Sequence, residues 1–282
     1  VLKGSSLEMG IEYGANLKEE LNQALGIIED FYIVQHKVTY AQLKERAEQL
    51  YKRFPEEYKT FLTGVAVGSG LNLNDTKILN AMETYTGLIN QEDVKCAFLF
   101  IPNSKTLTGA AMIGRNYDYP APFDKLANLL TVTILKENGK IPTAFISIAG
   151  EAYCPSCVNS KGIFIELNNG TPSGGRSINI NTETMLSKML ETLQISKSLS
   201  EVNSNLNNVQ SDYSLIVNAA DSNNAYSFEF SSTLGMHSFI PNIGQTFAST
   251  NFYLNPIWGN SVPIPTDATT WNGVTRRNNL LN

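Results

Sequence analysis

Histidine is nearly absent from this chain: His36 and His237 are the two in 282 residues. Most cysteine and serine hydrolases set a histidine beside the nucleophile as its base. Any such chemistry here must use one of these two or find another base. Cysteine is scarce as well, with Cys96, Cys154 and Cys157. A pair of cysteines and two scattered histidines make no zinc ligand set, so no metal and no cofactor are expected. No apolar run approaches the ~20 residues that a membrane-spanning helix needs. Positive charge is not in excess either, since 21 Lys and Arg face 26 Asp and Glu for a formal net charge of −5. Arg276 and Arg277 are a pair rather than a patch, which leaves no footprint for nucleic acid.

What remains is ordinary globular material. Apolar residues make up 42% and charged residues 17%, too apolar for disorder and enough for a well-buried core. The chain starts at Val1 rather than Met. A cleaved secretion signal upstream is one explanation, and it favours a secreted or periplasmic protein over a cytoplasmic one. Cys154-Pro155-Ser156-Cys157 reads as a disulfide or as two free thiols. A redox motif should open a helix, whereas Val158-Asn159-Ser160-Lys161-Gly162 leads into a strand. Cys96 is the odd thiol. Asn74-Asp75-Thr76 and Asn169-Gly170-Thr171 match the glycosylation sequon, a pattern common by chance.

The first 95 residues read as helical. Leu17, Leu21, Leu25 and Ile28 recur at helical spacing, and Leu43, Ala47 and Leu50 mark a second helix that stops before Pro55. A third is expected over residues 55–64, then a turn at Gly68-Ser69-Gly70, then a helix capped by Asp75. From Cys96 onward the pattern becomes strands: 96–101 and 108–116 as a hairpin, then 129–135, 143–148 and 162–167. Helices follow over 182–195 and 198–206, with Met185, Leu186, Met189, Leu190 and Leu193 on one face of the first. Strands return at 214–218, 226–231 and 247–251. Strands, two helices and strands again suit sheets layered between helices, an α+β domain. Glu229, between Phe228 and Phe230, is expected to point outward.

The hairpin gathers the chemistry. A thiol becomes a nucleophile as its thiolate, which nearby positive charge favours, and Arg115 on the strand beside Cys96 can supply that charge. Were Cys96 the first residue of its chain, its α-amine would sit beside the sulfur. The reference pKa of such an amine, about 7.7–8.0, suits a base near neutrality. Asp118 can orient that amine. No histidine is then needed.

These residues also carry a resemblance, in order along the chain. They are Pro55-Glu56-Glu57-Tyr58, Gly64-Val65-Ala66-Val67-Gly68-Ser69-Gly70-Leu71, Ile78-Leu79-Asn80 with Glu83, Cys96, and Gly114-Arg115-Asn116-Tyr117-Asp118. Asn159-Ser160-Lys161-Gly162-Ile163, Thr250-Asn251 and Thr275-Arg276-Arg277 follow. From Gly10 to Leu281 the chain resembles the choloylglycine hydrolase and penicillin V acylase superfamily of N-terminal-nucleophile hydrolases, and within it the penicillin acyltransferase branch. The resemblance implies an αββα sandwich of two antiparallel sheets between helix layers, preceded by a helical prosegment. That gives residues 1–95 as prosegment and 96–282 as catalytic domain. The family continues past its late arginine, so a C-terminal part is expected beyond Asn282.

The resemblance further implies self-cleavage between Lys95 and Cys96, with Cys96, Arg115, Asp118, Asn251 and Arg276 as catalytic residues. Asn251 is expected to donate to the oxyanion, together with a backbone N–H near Ser173, and Arg277 competes with Arg276. The implied substrate is a small-molecule N-acyl amide, attacked through a thioester that water or another acceptor resolves. The implied partner is the other half of the processed chain, with homo-oligomers open. Two alternatives remain: a Cys/His hydrolase using His237 without self-cleavage, and a non-catalytic binding module on the same fold.

Overall fold

The computed structural model describes residues 1–90 and 94–282, so the expected prosegment's residues 91–93 lie outside the described residues. In chain order the first strands are β1 (Leu2–Gly4), β2 (Lys95–Ile101), β3 (Met112–Asp118), β4 (Leu130–Glu137) and β5 (Thr143–Ile148). Then come β6 (Ser156–Asn159), β7 (Phe164–Asn169), β8 (Leu215–Ala220), β9 (Ala225–Ser231), β10 (Gly235–Phe239) and β11 (Phe247–Ser249). The first helices are α1 (Ser6–Asn16), α2 (Lys18–Ile28), α3 (Tyr40–Tyr51), α4 (Glu56–Ser69) and α5 (Leu73–Asn80). Later ones are α6 (Phe123–Leu126), α7 (Thr171–Gly174), α8 (Met185–Ile195), α9 (Leu199–Leu206) and α10 (Gly273–Leu281). The chain is α+β and divides into two units, Val1–Glu92 with Tyr119–Pro155, and Asp93–Asp118 with Ser156–Asn282.

In the first unit, local chemistry sets the helix starts. Ser5 and Glu8 form a capping box on α1, and Thr39 and Gln42 form one on α3, each satisfying donors that the first turn leaves free. On α5 the cap is Asn72, whose Oδ1 accepts from Asp75 N, so Asp75 is capped rather than capping. The expected turn at Gly68-Ser69-Gly70 is instead the last turn of α4, which closes on a left-handed Gly70 at φ 77°. Strand β1 pairs parallel with β4, and β4 antiparallel with β5. Asn80 Oδ1 accepts from Tyr58 Oη and Ala152 N, and Tyr13 Oη accepts from Gly150 N, so these buried polar atoms are paired.

The second unit is an αββα arrangement in itself. Strands β6, β7, β8, β9 and β10 pair antiparallel in that order, and β11, β2 and β3 make a second antiparallel sheet. Helices α8 and α9 pack on β6, β8 and β9, while α10 packs on β11 and β2. Asn159 fastens α8 to the sheet: its Nδ2 donates to Leu193 O and Ser196 O, and its Oδ1 accepts from Lys161 N and Ile163 N. The hairpin strand expected at 108–116 lies at Met112–Asp118, which sets Cys96 opposite Tyr117 and Lys95 opposite Asp118. Cys154 and Cys157 are disulfide-bonded, and Cys96 is a buried thiol outside that bond.

Candidate active site

Alternation along the strands of the second unit decides which side chains enter the space between its sheets. On one sheet, register aligns Phe164 with Ala220, Glu166 with Asn218 and Asn168 with Ile216. It aligns Asn218 with Ser227 and Ile216 with Glu229. On the other, Cys96, Phe98 and Phe100 face inward with Arg115 and Tyr117 beside them. One end of this layer is apolar, built from Phe98, Phe100, Ala220, Ala225 and Phe247. Toward Cys96 it turns polar, with Glu166, Asn168, Asn218, Ser227, Glu229 and Ser249 all fully buried. Polar side chains are costly between sheets unless paired, so this end carries more than packing.

Cys96 is 1% exposed. Its N–H donates to Asn251 Oδ1 at 3.1 Å, and its carbonyl accepts from Arg276 NH1 at 2.7 Å. Arg276 NH2 reaches the same Asn251 Oδ1 at 2.8 Å, while Asn251 Nδ2 donates to Asn169 O at 2.9 Å. That set fixes the amide's orientation, because a flip would turn its NH2 toward two donors and its oxygen toward a carbonyl. Asn251 therefore presents its oxygen to the Cys96 nitrogen, where an oxyanion donor was expected. Ser173 differs from expectation too. Its N–H closes the α7 turn on Gly170 O at 3.1 Å, and its Oγ accepts from Tyr253 N at 3.0 Å.

The two arginines of α10 separate cleanly. Arg276 joins Cys96 and Asn251, whereas Arg277 Nε donates to Ala248 O at 2.9 Å and ties the helix to β11. Burial lowers the Arg276 pKa from its ordinary value, and the charges of Cys96, Asp118 and Asp267 pull it back up. Arg115, expected to activate the thiol, is anchored through its guanidinium. Nε pairs with Glu166 Oε2 at 2.9 Å, NH1 donates to Asn116 O at 2.6 Å, and NH2 to Leu167 O at 2.7 Å. Burial raises the Glu166 carboxyl above its usual range, against Arg115 and an Asn218 amide that lower it. Asp118 is exposed at the end of β3, opposite Lys95, and its charge acts on Arg276 together with that of Cys96.

Glu229 is the clearest departure from the sequence expectation. It points inward, and its carboxylate accepts from Leu254 N, from Asn255 N at 3.1 Å and from Trp258 Nε1 at 2.6 Å. It thus clamps the segment that follows Asn251. Both histidine rings pack on aromatic rings, His237 on Trp258 and His36 on Phe31, each at 4.5 Å between centroids. The sequence pattern does not mark Glu166, because β7 is buried on both faces and alternation shows no polar side. A carboxylate inside such an apolar strand was the signal available.

No protein-family model matches the chain, and no curated protein matches it. Among solved structures it is similar to a mutant of the conjugated bile acid hydrolase from Clostridium perfringens, with TM-score 0.41 and 15% identity over 59% of this chain and 56% of that one. A variant of the same enzyme gives 0.42 and 16% over the same shares. An ortholog of N-acylethanolamine-hydrolyzing acid amidase from Caenorhabditis elegans gives 0.46 and 15% over 56% of this chain and 71% of that one. The chain spans little more than half the length of the bile acid hydrolase. Likenesses of this depth carry no argument about chemistry, which rests on the residues of the site.

Proposed function

We propose that the chain is a cysteine N-terminal-nucleophile amidohydrolase or acyltransferase, which cuts itself between Lys95 and Cys96 and then acts on a linear, non-peptide amide of a small N-acyl substrate. The observation that carries this reading is the seat of the Cys96 nitrogen. It is buried, held by Asn251 Oδ1, and adjoins a cation, Arg276. A nucleophile whose own amine is the base needs that nitrogen fixed beside its sulfur.

In the self-cleavage step, Cys96 Sγ attacks the Lys95 carbonyl carbon. A C–S bond forms, the C–N bond breaks, and the thiol proton passes to the departing nitrogen. Water then splits the thioester, leaving Lys95 as a carboxylate and Cys96 with a free amine and thiol. In the mature enzyme the amine takes the thiol proton and Sγ attacks the substrate carbonyl. The proton goes on to the leaving amine, and the acyl group stays on sulfur until water or another acceptor removes it. Asn251 holds the Cys96 amine and Arg276 supplies the positive charge that favours the thiolate. Arg115, anchored by Glu166, braces the strand opposite, and Asp118 adds a negative charge at the strand end where the amine appears.

Intact-mass analysis tests the reading directly. Wild-type protein in denaturant should resolve into a piece ending at Lys95 and one beginning at Cys96, and Cys96→Ala should remain one chain. Wild-type protein that stays uncut under every condition in which it hydrolyses amides would rule the mechanism out.

A further inference from the structure

Arg276 sits on the first turn of α10, and a helix start is a poorly fixed support unless its donors are satisfied. Asn272, the residue before that turn, is left-handed at φ 59° and makes no side-chain cap. Asp267 caps instead, from five residues upstream of Asn272. Its Oδ1 accepts from Thr275 N at 2.9 Å and its Oδ2 from Thr275 Oγ1 at 2.5 Å, while its backbone carbonyl accepts from Asn272 N at 2.8 Å. The carboxylate thereby also meets the positive end of the helix dipole. From the other side, Thr250 Oγ1 donates to Gly273 O at 3.0 Å, joining the residue before Asn251 to the first residue of α10. Thr250 is fully buried, and its own carbonyl accepts from Asn168 Nδ2 at 3.2 Å.

We infer that Asp267 and Thr250 are positioning residues that set the first turn of α10 so that Arg276 meets Cys96 and Asn251 together. Neither touches the reacting atoms. Thr250 ties the two halves of the cradle, the Asn251 segment and the Arg276 helix, into one piece. Asp267 fixes the rotation of the helix through Thr275, the neighbour of Arg276 in sequence. The charges that act on Arg276 are Cys96, Asp118 and Asp267, so Asp267 also contributes directly to its field. The inference rests on the proposed self-cleaving mechanism, and its effects are those of misaimed cation and amine rather than of a lost reactant.

The test uses the full chain and two readouts: the rate of self-cleavage by intact mass, and the pH profile of Cys96 alkylation by iodoacetamide. Removing Asp267 in Asp267→Ala should slow self-cleavage by about 10–100-fold, the scale of a small misplacement of a catalytic group, and move the alkylation profile to higher pH. Thr275→Val should do the same by removing the hydroxyl donor, and Thr275→Ser should restore the wild-type rate. Thermal midpoints measured alongside separate aim from folding: a merely structural role lowers the midpoint and leaves the alkylation profile of the folded fraction unmoved. Wild-type rates and profiles in Asp267→Ala, with Arg276→Ala impaired, would overturn the inference and leave the mechanism standing. Normal rates and profiles in Arg276→Ala would overturn it as well. An uncut wild-type chain would sink the self-cleavage reading, and the alkylation profiles alone would then decide for or against Asp267.

Discussion

A carboxylate held only by uncharged donors is an expensive thing to bury, and Glu229 is held by two backbone N–H groups and an indole. Burial pushes its pKa from 4.5 up to about 7, against the hydrogen bonds from Leu254, Trp258 and Asn255. Between those two values the native state keeps a proton that the unfolded chain has released. Glu229's contribution to stability is therefore fully present below pH 4.5, is lost as pH rises through 7, and levels off above. The contribution is about 3 kcal/mol by linkage. Glu166 and Glu151 are shifted the same way, so the measurement is a difference. Wild type should lose more thermal stability than Glu229→Gln between pH 5 and 8, and parallel profiles would remove Glu229 from the account. At this scale motif order pointed to Cys96, Asn251 and Arg276, and the structure joins the three by hydrogen bonds. Glu166 and Glu229 were not legible, because both faces of their strands are buried and the alternation that assigns a side has nothing to contrast.

Helices α1 and α4 cross with glycine against glycine. A Cβ on Gly64 would stand 2.5 Å from Leu7 O and 2.8 Å from Ile11 N, and one on Gly10 would stand 2.1 Å from Phe61 O. Backbone cannot yield as a side-chain tip can, so Gly64→Ala should lower stability by about 1–3 kcal/mol or more, the cost of overpacking. Gly26 gives the opposite sign. It lies on α2, exposed, with nothing within 4 Å of an added Cβ, so Gly26→Ala should raise stability by about 0.5–1 kcal/mol through helix propensity alone. Chemical denaturation of the two variants reads both, and equal shifts would mean that the crossing is looser than described. Helix starts were largely visible in the sequence, since Ser5, Thr39 and Asn72 each cap by their own chemistry. The end of α4 was not. Gly64, Gly68 and Gly70 look alike as local turn signals, and only the tertiary contact tells the packed glycines from the cap.

The proposed cut divides the chain differently from its packing. Residues 1–95 leave as one piece, yet the unit built on Val1–Glu92 also contains Tyr119–Pro155, which belongs to the other piece. Within that unit β1 lies parallel to β4, pairing Leu2 with Leu135 and Gly4 with Glu137. Gly150 N donates to Tyr13 Oη and Ala152 N to Asn80 Oδ1, both at 3.1 Å and both buried, while Leu79 and Leu21 pack directly on Gly150. Breaking one peptide bond removes none of these contacts. It frees two chain ends, and the apolar area that separation would expose costs far more than the freedom gained. The cut protein should therefore migrate as a single species on size exclusion and in native mass spectrometry, and part into two chains in strong denaturant. Loss of the first piece under native conditions would show that the unit does not hold across the cut. The sequence alone suggested an N-terminal segment followed by a catalytic domain, because the helical pattern ends where strands begin. It gave no sign that residues 119–155 pack with the N-terminal helices, since such long-range pairing leaves no local period to read. A processed chain held this way keeps the N-terminal piece as a standing part of the fold rather than a discarded leader.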